Sequence, residues 1–172
     1  MSALAPSAFR VTQAGLNAIS VAQSAQSRIS ITAFSLGAAA GYTPTLADTA
    51  LHGLEVFPKT PPSSFVRVTS TSIDVVCVVP ATAGPFLYGE IGLFLEDGTL
   101  FALAAYPEIQ SKVTSAVNGI ANSITFHAIL DVGTATSVVQ VLVAAPGVAS
   151  ELPSTNFVSG PTFIPGTPGA VI

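Results

Sequence analysis

Phe86-Leu87-Tyr88-Gly89-Glu90-Ile91-Gly92-Leu93-Phe94-Leu95-Glu96-Asp97-Gly98-Thr99-Leu100-Phe101-Ala102-Leu103-Ala104-Ala105-Tyr106-Pro107 reads as a β-hairpin that is apolar on both sides. Asp97-Gly98 suits a two-residue turn with φ > 0 at both positions. Pairing outward from it predicts Glu96 opposite Thr99, Leu95 opposite Leu100, Phe94 opposite Phe101 and Leu93 opposite Ala102. One face then carries Leu95, Leu93, Ile91, Leu100, Ala102 and Ala104; the other carries Phe94, Phe101, Gly92, Leu103 and Glu90. A hairpin washed by water on one side is polar there. This one is therefore expected to be covered on both, inside a layered domain or in a subunit interface.

Composition makes the same demand. Only 14 of 172 residues are charged, 8%, against about 25% in an average soluble domain. A 17.3 kDa monomer exposes roughly 7,800 Å², or about one charge per 560 Å² here. So sparse a surface favours association, and a large permanent interface is the expectation. Mean hydropathy is +0.67, yet the uncharged stretches are broken by Pro44, Pro146 and Pro153 and offer no run of about 20 apolar residues. No membrane insertion is expected, and the start lacks the basic segment and apolar core of a secretory signal. A net charge of -4 with five dispersed basic residues argues against nucleic acid, which selects a clustered positive surface. The length fits one domain.

Ser7 to about Gln26 holds no Pro, and Ser7 can cap a helix there. Val11, Gly15, Ala18, Ala22 and Ala25 make a small-residue stripe that lets another element approach closely, beside a bulkier one of Phe9, Leu16 and Ile19. Strands are expected at Ile29–Leu36, across Phe65–Val79 as one long strand or a bent pair, at Ile120–Leu130 and at Thr136–Ala145. Thr45 and Asp48 fit a capping box, predicting one or two helical turns through Leu51. Pro58, Pro61 and Pro62 are expected to break the chain after it. The fold class is thus α+β, mainly β. An N-terminal helix packs on sandwich-like antiparallel sheets over residues 1–145, and an extended Pro/Gly-rich arm follows over 146–172. Leu152, Phe157, Val158, Phe163, Ile164, Val171 and Ile172 make that arm too apolar for a solvated tail. They are expected to dock on a partner.

Catalytic constellations are missing. Cys77 alternates with Ile73, Val75 and Val79 and reads as a small buried hydrophobe. His52 and His127 stand without metal-ligand spacing, as surface or satisfied core histidines. There is no Gly-x-Ser-x-Gly elbow and no phosphate-binding Gly-Lys-Ser/Thr loop. No cofactor, metal or enzymatic activity is expected. Glu90 is the one acid on an apolar face; a raised-pKa acid is one reading. Pairing with Arg or with backbone donors in an interface is the favoured one, because no second candidate group accompanies it. The residues expected to contact a sister subunit or the baseplate are Glu90, Phe94, Phe101, Leu152, Phe157, Phe163 and Ile164, with Asp97 and Gly98 forming the turn.

Several motifs resemble the N-terminal, baseplate-attachment domain of bacteriophage tail-collar and tail-fibre proteins. They are Thr12-Gln13-Ala14-Gly15, Ile31-Thr32-Ala33-Phe34-Ser35-Leu36-Gly37 and Gly41-Tyr42-Thr43-Pro44. Gly89-Glu90-Ile91-Gly92-Leu93-Phe94, Asp97-Gly98-Thr99-Leu100-Phe101-Ala102 and Pro107 follow in the family's order, over about residues 10 to 130. The resemblance implies a virion structural protein that anchors a fibre to the baseplate and supports host attachment, as a homotrimer. Its implied partners are sister copies, baseplate or tail-tube proteins and a separate fibre protein. Its implied location is the virion tail, assembled in the bacterial host cytoplasm. Two departures stand out: Gly37-Ala38-Ala39-Ala40-Gly41 lacks the acid common in that loop, and no shaft repeat follows before Ile172. An adaptor or short collar piece is therefore expected. The alternative, a small host-surface glycan or receptor-binding module, wants exposed aromatics in a concave site; Trp is absent and Tyr numbers three.

Overall fold

In chain order the elements are β1 (Arg10–Val11), α1 (Gln13–Ser24), β2 (Ile29–Gly37), β3 (Glu55–Thr60), β4 (Ser64–Arg67), β5 (Ser72–Val79), β6 (Phe86–Leu95), β7 (Leu100–Lys112), β8 (Ile124–Asp131) and β9 (Val139–Val141). They come from a computed structural model that describes residues 5–114, 122–133 and 139–141. The arm over 146–172, with Leu152, Phe157, Phe163 and Ile164, lies outside the described residues, as do Ile120 and the ends of the Thr136–Ala145 strand.

The hairpin is β6–β7, but its tip differs from the sequence expectation. The Gly98 N–H donates to Leu95 O and the Leu95 N–H to Thr99 O, both at 3.0 Å. Only Gly98 takes a positive φ, +85°, and Asp97 does not. This is a three-residue loop, a type I turn closed by a left-handed glycine. Thr99 N–H donates to Asp97 Oδ1 at 2.9 Å, a local bond that favours this turn. Phe94 now faces Leu100 while Leu93 still faces Ala102, so Phe101 is the extra residue of a bulge. The bulge exchanges two side chains between faces. Leu100 joins Phe94 and Leu103 on one side, and Phe101 joins the main core on the other.

Gly98 has open space around it, so what a side chain meets there is backbone strain alone. Gly98→Val is expected to cost about 1–3 kcal/mol. Thermal unfolding checks this, and Gly98→Asn, which tolerates positive φ better, should recover most of the loss.

The bulge also seats the helix. Thr12, not Ser7, is the N-cap: its hydroxyl accepts from the Gly15 N–H at 3.0 Å. The same hydroxyl donates to Leu100 O at 2.6 Å, and the Thr12 N–H donates to Phe101 O at 2.9 Å. Ser7 is held elsewhere, its N–H on Ala105 O and its hydroxyl accepting from the Ala105 N–H. Those bonds leave Arg10–Val11 extended along β7, which delays the helix to Gln13. The small-residue stripe does let the helix approach closely. A Cβ on Gly15 would stand 2.6 Å from Phe101 O. Thr12→Val, which strips the cap and leaves Leu100 O without its donor, should cost about 2–3 kcal/mol by urea unfolding.

Sheet A runs β1-β7-β6-β2-β3, with β9 pairing parallel to the first half of β2; sheet B runs β4-β5-β8. The molecule is mainly β, and one core is shared between the two sheets and the helix. Phe34, Leu36, Ile91, Leu93 and Phe101 of sheet A meet Ile73, Val75, Cys77, Val79, Phe126, Ala128 and Leu130 of sheet B, with Ile19 at the margin. Phe65–Val79 is the bent pair, folded at residues 68–71. Two expectations are corrected. Pro58 does not break the chain but sits inside β3, an edge strand, where its missing N–H need not serve the ladder. Leu46–Leu51 forms no helix, although Thr45 donates twice to the Asp48 carboxylate, its N–H to Oδ2 at 2.7 Å and its hydroxyl to Oδ1 at 3.0 Å. The Leu46 carbonyl is taken by the Gln13 N–H at 2.7 Å, and the chain beyond Leu51 is drawn to a different acceptor.

Candidate functional site: a buried carboxylate cradle

That acceptor is Glu90. It stands on the second face of the hairpin, away from the main core, and is fully buried. Gly92 and Phe94 follow at period two on the same face. The strap of residues 38–54 crosses this face, where Tyr42 and Leu51 cover Phe94, Leu100 and Leu103. Both faces of the hairpin are thus covered within the chain.

Three donors from the strap converge on the carboxylate. The Gly53 N–H donates to Oε1 at 2.6 Å and the His52 N–H to Oε2 at 3.0 Å. The Tyr42 hydroxyl donates to Oε2 as well. Burial of the Tyr42 phenol and the negative charge of Glu90 beside it push the tyrosine far above its ordinary range, so it stays a donor at any physiological pH. Three glycines make the room. A Cβ on Gly37 would stand 2.7 Å from Glu90 Cδ, one on Gly53 2.9 Å from Ala38 N and one on Gly89 2.5 Å from Ala40 Cβ. Strap, strand end and hairpin therefore approach one another to a distance that only glycine permits.

Outside the cradle the strap carries a second, exposed set. The His52 ring stacks on Tyr42 with centroids 4.1 Å apart and an interplanar angle of 14°. Its Nε2 meets Asp48 Oδ1 at 3.0 Å. Partial burial works against the Asp48 charge, but the Thr45 N–H, the His52 ring and the Thr45 hydroxyl outweigh it and hold the carboxyl below its ordinary range. His127 has a carboxylate too, Nδ1 to Asp74 Oδ2 at 2.8 Å across the β5–β8 ladder. Neither pairing was visible as a site in the sequence, although Asp48 and His52 stand four apart. Burial, with Asp74 adding to it, pushes the Cys77 thiol up to about 12. The described residues contain no group of three or more His, Cys, Asp or Glu placed to hold a metal ion. No helix among them is long and apolar enough to cross a membrane.

The contact residues expected from sequence fall in three places. Glu90, Phe94 and Phe101 are buried inside the subunit, where they bind the strap and the two cores. Asp97 and Gly98 are exposed at the hairpin tip. The four arm residues lie outside the described residues. A groove of about 430 Å³ runs beside the tip, between Ala18, Ala22, Ile29 and Leu95, with Arg28, Glu96 and Asp97 at its rim. None of its lining residues is aromatic.

The described chain is thus a mainly-β domain whose central hairpin is held by an internal carboxylate and whose two histidines each meet an aspartate. Residues 8–144 match the family of phage tail-collar fibre proteins, N-terminal, and the chain belongs to that family. No curated protein and no solved structure gives a significant match to it. Membership makes this a virion structural protein of the tail-fibre class, a component of the phage tail.

Proposed function

We propose that this chain is an adaptor that anchors a tail fibre to the phage baseplate and thereby supports host attachment. The family match over residues 8–144 carries the reading. The fold supports it, because a hairpin locked on both faces gives the rigid base that a lever-like fibre needs. In this reading copies of the chain self-associate as a trimer, since 14 charged residues in 172 leave much surface best kept from water. The 146–172 arm lies along a sister copy or the next tail protein, with Leu152, Phe157, Phe163 and Ile164 as anchors. Burying each is worth roughly 1.5–3 kcal/mol before ordering costs. Assembly takes place in the bacterial host cytoplasm, and no catalysis is involved.

The test is a phage lacking this chain, complemented in trans. Particles made without it should have baseplates that lack fibres and should fail to adsorb, and gold-labelled antibody should mark the baseplate of complemented particles. Label at the distal fibre tip, with fibres still attached in the deletion, would favour a receptor-binding module instead. A chain ending at Ala149 should fold but incorporate poorly; normal incorporation would make the arm passive.

A further inference from the structure

Lys112, the last residue of β7, is only 2% exposed. The ladder sets it opposite Phe86, which packs against Phe57 and Tyr88. An ammonium carries three N–H donors, and among the described residues one acceptor meets them, the Val113 carbonyl at 2.8 Å. Lysine is almost never so buried without a counter-charge, because an unpaired ion gives up its hydration for nothing in return. All of the chain's nine acids except Glu151 are among the described residues, and none of those forms an ion pair with Lys112. Val113 is itself 40% exposed, so the ammonium lies close to the surface. The outer edge of β7 is free beside it: beyond Ala105 no strand among the described residues pairs there.

We propose that Lys112 is the receptor for Glu151 of a sister copy's arm; the inference rests on the docking of residues 146–172 put forward above. Charge selects the occupant. Glu151 is the one charged side chain of that arm, and Lys112 is a buried cation that lacks an anion. Reach selects the copy. Val141 stands at the Ile31 level of sheet A, the Leu95 end of β6, whereas Lys112 stands at the Phe86 end. About 30 Å of strand and three strand spacings of about 4.8 Å separate the two. Glu151 follows Val141 by ten residues, which span at most about 33–36 Å when fully extended and straight. A path around the domain's own surface is longer, so the Glu151 that meets Lys112 comes from another copy.

Sedimentation velocity on the full chain across a range of concentrations tests the pair. Glu151→Gln and Lys112→Met should each dissociate at about tenfold higher protein concentration than the wild type, since each leaves one buried charge without its partner. The double variant, which leaves neither, should dissociate no more readily than either single one. Fold-changes that multiply in the double variant overturn the pairing alone, while poor incorporation of the chain ending at Ala149 still reads the docking of the arm. Should Lys112→Met lose its far-ultraviolet spectrum, Glu151→Lys is compared with Ser154→Lys, which adds a cation three residues away. Glu151→Lys should dissociate the oligomer far more readily, and equal effects overturn the pairing. Coupling seen only in urea unfolding, with no change in dissociation, assigns Glu151 to its own copy and overturns the inference. A monomeric wild type overturns it together with docking on a sister copy, while incorporation into particles reads docking on another tail protein separately.

Discussion

Glu90→Ala should lower the stability of this domain by about 3 kcal/mol or more, a large share of what a domain of this size possesses. The substitution removes an acceptor from the Tyr42 hydroxyl and from the His52 and Gly53 N–H groups at once. Each donor left unsatisfied in a buried site costs about 1–3 kcal/mol. From sequence this acid was expected in a contact with a sister subunit or the baseplate. The buried geometry moves the primary effect to folding, because the three donors that the carboxylate holds among the described residues all belong to its own subunit. Glu90→Gln keeps the shape but turns an amide N–H toward one of the strap donors, so an intermediate loss is expected. Urea unfolding followed by tyrosine fluorescence gives the values. A loss below about 1 kcal/mol for the alanine variant would mean that water replaces the carboxylate without cost.

The second large effect is expected at Gly37. Its added Cβ would overlap the Glu90 carboxylate, standing 2.7 Å from Cδ. That side chain cannot swing aside without breaking its three bonds, so the clash cannot relax cheaply. Overpacking of this kind costs about 1–3 kcal/mol, and disrupted bonds to the strap raise the figure. The cause is specific and can be isolated. In the Glu90→Ala background the obstacle is gone, so Gly37→Ala should cost much less there than in the wild type. A double-mutant cycle should therefore show the pair less destabilised than the sum of the single changes, by about 1 kcal/mol or more. Additive losses would place the strain in the strand backbone and not against the carboxylate.

The hairpin and its burial on both sides were legible because a continuous apolar run around an Asp-Gly turn leaves few alternatives. The register at its tip was not. Two-residue and three-residue loops share the Asp-Gly signature, and one added residue moved Leu100 and Phe101 to opposite faces. Thr12 was hidden for a related reason: both Ser7 and Thr12 can cap, and the choice depends on carbonyls of β7 some 90 residues away. Glu90 stood out as an acid on an apolar face, but its partners did not. Backbone N–H groups carry no sequence signal, and Tyr42 lies 48 residues from Glu90 along the chain. The family motifs are more informative in space than in sequence. Thr12 and Gly15 meet Phe101 at the bulge, and Gly37 and Tyr42 meet Glu90 in the cradle.

The central claim is that the hairpin is closed on its second face by a strap latched to Glu90. Amide hydrogen exchange at His52 and Gly53 measures that latch directly, because both N–H groups donate to the carboxylate. The account predicts protection comparable to the β6–β7 ladder, and its collapse to loop-like rates in Glu90→Ala while Leu93 and Ala102 keep some protection. Exchange at His52 and Gly53 as fast as in an open loop, in the wild-type chain, would contradict it.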